Sequence, residues 1–334
     1  MALVKLRELG RSGPLVSTIG LGCNNFGRTA TFTESQDGTT AVIDEALEQG
    51  VTLLDTADIY GASAGLSETL MGVALNDKRD HFVLATKFGH TEYETGLLPG
   101  ARKGSREYIR ASIDGSLARL QTDHVDLYQQ HSPDPTTPIE ETISALDELV
   151  AEGKIRFFGG TQFSAQQLRE ADTAAIRLGG GRFISAQSEY SLLQRAVEAE
   201  VLPTVLELEL GFLPFFPLAN GLLTGKFTRT EHPADTRIAR QRPHLLKSAR
   251  WDAIERYATF CAECGVTMLQ ATFSWLLAQP GLTSVIAGAT SPQQIAQNAE
   301  AATHWKPGAD DLAEISEIFG GNSKQENQGQ GKKI

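Results

Sequence analysis

Eight short apolar runs, each ending in or beside a polar residue, alternate with amphipathic segments along almost the whole chain. That alternation limits the fold more than any other feature. The runs fall at 18–22, 51–55, 82–87, 125–131, 157–161, 183–187, 212–216 and 283–287. Several, such as VTLLD and FVLATK, are nearly continuous in apolar residues, which is how strands buried on both faces read. Helical signals lie between them. Ile109, Ile113, Leu117 and Leu120 mark one helical stripe. Thr137-Pro138-Ile139-Glu140 has the form of an N-cap, a first-turn proline and a capping box, with Ile139, Ile143, Leu146 and Val150 on one face and Gly153 as the stop. Ser164 with Gln167 and Ser291 with Gln294 repeat the capping pattern. Eight such βα units in 334 residues predict a closed (β/α)8 TIM barrel. An open doubly wound sheet is the other arrangement; its G-x-G-x-x-G turn is missing, because Gly20, Gly22 and Gly27 have the wrong spacing.

Residues before 17 read as a β-hairpin with a Gly13-Pro14 turn, placed to plug the barrel floor. The longest connection, about 216–248, reads as a functional loop. The expected division is one barrel domain over 1–322 and a flexible tail over 323–334.

Composition narrows the partners. With 41 acidic and 30 basic side chains the net charge is −11, against a nucleic-acid partner, which needs clustered cations. The longest uncharged helical run, 266–279, is too short to span a membrane. The first residues carry Lys5, Arg7 and Glu8 and lack a leader's apolar stretch. Three cysteines cannot form a disulfide framework. A cytoplasmic protein, monomer or homo-oligomer, is therefore expected. Cys261 and Cys264 lack further ligands, and the histidines have no metal-ligand spacing, so no metal is expected. Gly221 to Phe227 is one residue short of a P-loop and lacks its Ser or Thr.

In a barrel of this kind chemistry sits at the C-terminal ends of the strands. Those ends carry Asp55, Lys87, His131, Thr161 and Gln187, and Tyr60 follows Asp55 in DTADIYG. A Lys paired with an Asp beside a Tyr phenol would pull the phenol pKa down. With His131 as a second donor, the set suits proton delivery to a developing alkoxide. Each could equally be a cap or a structural ion pair; their coincidence points to function.

These residues carry a resemblance. DTADIYG, ATKFG and DLYQQHSPDP, followed by Ser67-Glu68, GGTQFS, SAQSEYSLLQR, FPLANGLLTGKF and IAGATSPQQIAQN, resemble the aldo-keto reductase family over about residues 5–320, and most of all its bacterial members. The resemblance implies reduction of aldehydes or ketones to alcohols with a nicotinamide cofactor, without a Rossmann domain. Tyr60 would protonate the carbonyl oxygen, Lys87 paired with Asp55 would lower the Tyr60 pKa, and His131 would polarise the carbonyl. Related C=C reductases have Glu in place of that His, so His131 favours C=O. NADPH is implied, with NADH as the alternative. Thr161, Gln162 and Gln187 would hold the carboxamide, Phe215 would stack on the nicotinamide, and Gly221, Leu223 and Lys226 would wrap the pyrophosphate. Gly288, Thr290, Gln294 and Asn298 would take the adenosine end. Arg229 and Arg237 could add charge, since 288–294 lacks the family's usual Arg or Lys. Ser132 stands where many members have Trp, which would open a pocket completed by Phe26, Phe88 and the 228–245 loop. Because the family includes channel β-subunits, the other reading is a non-catalytic, NADP(H)-binding regulatory or redox-sensing subunit.

Overall fold

In a computed structural model, which describes residues 4–233 and 236–320, eight parallel strands form one sheet that curls almost into a closed barrel. The tail expected over 323–334 lies outside the described residues. Strands β1 (Leu6–Glu8) and β2 (Leu15–Ser17) form an antiparallel hairpin. The barrel strands are β3 (Ile19–Gly22), β4 (Leu53–Asp55), β5 (Val83–Phe88), β6 (Val125–Gln130), β7 (Ile155–Thr161), β8 (Ser185–Glu189), β9 (Gly211–Phe215) and β10 (Val285–Gly288). They pair in the order β10-β3-β4-β5-β6-β7-β8-β9. The remaining edge is bridged where Phe212 N–H donates to Gly281 O (3.0 Å) and Thr283 N–H donates to Phe212 O (2.9 Å). Each of the eight sequence runs overlaps one barrel strand.

The two-residue period sorts each strand into an inner and an outer face. Inside, Leu53, Ala85, Leu127, Ile184, Leu213 and Ile286 form an apolar layer. Leu9 and Val16 of the hairpin region insert into that layer, so the hairpin closes the lower end of the barrel. Outside, Leu84, Phe88, Tyr128, Phe158 and Phe212 pack in the larger core they share with the helices. Burying a side chain of this size contributes about 1.5–3 kcal/mol.

Helix ends follow the sequence signals with two exceptions. Ser164 and Gln167 form a reciprocal capping box. Helix Pro292–His304 has Ser291 as N-cap, but the Gln294 side chain turns to Thr290 N–H (2.8 Å) instead of the cap. The box expected at Thr137 does not form. Helix Ile139–Ala151 starts after Pro138, and the Thr137 hydroxyl donates to Asp134 (2.7 Å), a carboxylate that also accepts from Gly104 N–H. No helix among the described residues is long and apolar enough to cross a membrane.

Candidate active site

Two residues beyond the apolar inner layer, toward the C-terminal ends of the strands, the barrel interior becomes polar. Asp55 ends β4 and Lys87 sits on β5, both inward by parity with Leu53 and Ala85. The Lys87 ammonium donates to Asp55 Oδ2 (2.6 Å) and to Thr56 O (2.9 Å), with no exposed side-chain surface. The other Asp55 oxygen, Oδ1, accepts from Gln187 Nε2 (3.1 Å) and Gln129 Nε2 (3.2 Å). Gln129 is one site residue that sequence reasoning missed. Its signal was parity, since it lies two residues before His131 on the same strand run.

Tyr60 sits above this pair on the loop after β4. The loop is pinned by Tyr60 N–H to Ala57 O and by Ser67 N–H to Tyr60 O. The Lys87 ammonium lies 5.2 Å from the centroid of the Tyr60 ring, and the His131 ring meets Tyr60 edge to face at 5.7 Å. Asp55, Tyr60, Lys87 and His131 are thus brought together.

The electrostatics partly correct the expectation for Tyr60. Burial pushes its phenol pKa up, Lys87 pulls it down and Asp55 pushes it up again, so the net direction is upward. For Lys87, burial would pull the ammonium down, but Asp55 and Tyr60 more than offset it and its pKa is raised. His131 is held well below the ordinary histidine value by burial, then by Lys87 and by His90. Near neutral pH the site therefore holds a protonated phenol, a charged lysine and a neutral imidazole.

Asp55, Tyr60 and His131 open into a cavity of about 1320 Å³, larger than most small-ligand pockets, with Lys87 buried behind them. Its lining includes Asp55, Tyr60, His131, Thr161, Gln162, Gln187, Phe215, Gly221, Lys226, Gly288, Thr290, Gln294 and Asn298. Thr161 Oγ1 is buried there without a hydrogen-bond partner, and such an atom calls for a polar ligand group. Gln162 has a φ of +62°, a strained backbone held by its N–H to Gln187 O (2.8 Å), and its side chain donates to His131 O (3.3 Å). Phe216, Ala219, Asn220 and Gly221 all have positive φ, which folds the segment after β9 tightly along the cavity wall. Lys226 forms no ion pair among the described residues, and the 13-residue helix Pro292–His304 begins at the far end. These features fit an elongated, anionic, amide-bearing cofactor.

Other expected residues lie elsewhere. Phe26 and Phe88 are fully buried in the outer core and do not line the cavity. Phe88 follows the inward-facing Lys87 and must point the opposite way, against Tyr128. Ser132 is also absent from the wall; its hydroxyl accepts from Thr91 N–H (2.9 Å). The Leu223 side chain is core, with no exposure. Arg229 is tied to Glu255 (3.0 Å) and Asp252 at the surface. The Arg237 side chain lies outside what the structure describes. In their place the cavity is lined by Arg28, His90, Tyr93, Phe32, Phe216 and Arg242.

The chain is similar to known proteins along most of its length. The sequence model described as "Aldo/keto reductase family" matches residues 18–319. The chain is 37% identical over 295 residues to "Uncharacterized oxidoreductase YrpG" of Bacillus subtilis (strain 168), covering 86% of this chain and 87% of that protein. It is 34% identical over 308 residues to "Probable voltage-gated potassium channel subunit beta" of Oryza sativa subsp. japonica, covering 89% and 91%. It is 32% identical over 327 residues to "L-glyceraldehyde 3-phosphate reductase" of Escherichia coli (strain K12), covering 94% and 92%.

Proposed function

Since the chain belongs to the aldo/keto reductase family, we propose that it reduces aldehydes or ketones to alcohols with NADPH, Tyr60 acting as the general acid. The observation that carries this reading is the convergence of Tyr60, Lys87, Asp55 and His131 at the base of one cavity. When bound, a reduced nicotinamide supplies the hydride that such a reduction requires.

The chain's own groups account for the rest. Thr161 Oγ1 and Gln162 would hold the carboxamide, with the Phe215 ring against the nicotinamide face. Gln187 would reach the same amide, although its Nε2 already donates to Asp55 (3.1 Å). Gly221 and Lys226 would take the pyrophosphate, while Thr290, Gln294 and Asn298 meet the adenosine end. The substrate carbonyl sits between Tyr60 and the neutral His131, which donates a hydrogen bond without competing as an acid. Because its pKa is raised, Tyr60 keeps its proton until negative charge develops on the carbonyl oxygen. Lys87 then stabilises the tyrosinate left behind, and Asp55 keeps Lys87 charged and aimed.

The test is an aldehyde and ketone panel with NADPH and NADH, following cofactor oxidation and alcohol formation. Turnover that is faster with NADPH supports the reading. The relatives named as potassium channel β-subunits keep a second reading in play, a cofactor-binding sensor. Tight NADPH binding with no turnover across the panel would favour it.

A further inference from the structure

The proton-delivery scheme leaves one imidazole at the catalytic end of the cavity without a task. His90 follows Gly89, whose φ of +73° turns the chain at the end of β5, and a Cβ at Gly89 would meet Lys103 O at 3.0 Å. The turn brings the His90 ring to 4.8 Å from the His131 ring, crossing it at 72°. On its other side Tyr93 stands edge to face at 4.7 Å. Both histidines line the cavity.

The tautomer of His90 follows from its neighbours. Glu92 N–H donates to Nδ1 (3.3 Å), which makes Nδ1 the acceptor and places the proton of the neutral ring on Nε2. Among the described residues Nε2 has no hydrogen-bond partner. Burial lowers the His90 pKa while Glu92 opposes it, so the neutral form holds near pH 7. An apolar substrate would cover this N–H and leave it unpaired, which is costly.

We propose that His90 is a specificity-determining residue that donates from Nε2 to an oxygen on the carbon next to the reacting carbonyl, so that preferred substrates are α-hydroxy or α-keto carbonyl compounds. The inference rests on the reductase reading of the same site. With His131 on the carbonyl oxygen, the paired rings address two oxygens on adjacent carbons.

Matched substrates test it: lactaldehyde against propionaldehyde, and hydroxyacetone against acetone, with NADPH. In the wild type, kcat/KM is expected to favour the oxygenated member of each pair by about tenfold or more, the effect of one good hydrogen bond. His90→Phe keeps an aromatic ring between His131 and Tyr93 but removes the donor. That preference should then fall about tenfold, through KM of the oxygenated member. His90→Gln, whose amide still donates, should restore part of it. NADPH titration of each variant reports an intact site; should His90→Phe fail to bind cofactor, His90→Gln and His90→Ala carry the comparison. A wild-type enzyme indifferent to the α-oxygen, or a preference that survives loss of the donor, overturns the role of His90 alone. No turnover of any pair overturns the reductase reading and this inference with it.

Discussion

The two ends of the barrel are built by the same strands and differ by one inward residue. At the lower end Leu53, Ala85 and Leu127 meet Leu9 and Val16 of the hairpin region in a dry apolar layer. Two residues further along, the same strands present Asp55, Lys87 and Gln129, also buried but joined by hydrogen bonds of 2.6–3.2 Å. The lower layer needs only volume and apolarity, whereas the upper one needs every partner, because a buried ion pair is stable only while both members are present. The contrast separates what holds the fold from what the fold is for.

Removing one partner at the upper end should produce the largest effect. Lys87→Met leaves the buried Asp55 carboxyl with only two amide donors, and a loss of about 3–5 kcal/mol is expected in denaturant unfolding, together with at least about a hundredfold drop in carbonyl reduction. Adding Asp55→Asn should recover stability without recovering activity. If both properties recovered together, the upper layer would be structural like the lower.

At the lower end the outcome should invert. Leu127→Ala is expected to cost about 2–5 kcal/mol in the same assay while kcat stays close to wild type at a temperature where the protein is folded. A selective loss of kcat there would break the comparison.

A smaller, pH-dependent effect is expected beside the Tyr60 loop. Asp58 is buried, accepts from Ser112 Oγ (3.3 Å) and faces Glu68, Arg119 and Lys103. Burial, reinforced by Glu68, pushes its pKa from 3.8 up to about 7. Between those values the folded state holds a proton that the unfolded state has released, so this group makes stability fall as pH rises and level off above about 7. Asp58→Asn should flatten that slope, gaining on the wild type most on the alkaline side. Parallel stability–pH curves for the two proteins would contradict the assignment.

The eight barrel strands were legible because strands covered on both faces favour short apolar runs, which capped helical segments separate along the chain. Asp55, Lys87 and His131 were legible because polar side chains at the ends of such runs are conspicuous. Parity explains the errors around them. Phe88 is adjacent to Lys87 and therefore faces the helices, while Gln129 faces inward two residues before His131. The bend after β9 was hidden because Phe216 and Ala219 take positive φ that their residue types do not announce. His90 gave no signal, since only the turn at Gly89 shows that it folds back onto His131. The capping motif at Thr137 failed because Asp134, three residues earlier, offers its hydroxyl a charged acceptor.

The most direct measurement is a single turnover of bound NADPH with an aldehyde, by the wild type and by Tyr60→Phe, with cofactor affinity measured on the same samples. Loss of the hydroxyl should slow the step by about 10²–10⁴ and leave NADPH affinity within about a factor of two. A Tyr60→Phe enzyme that completes the turnover at the wild-type rate would contradict the assignment of the proton to Tyr60.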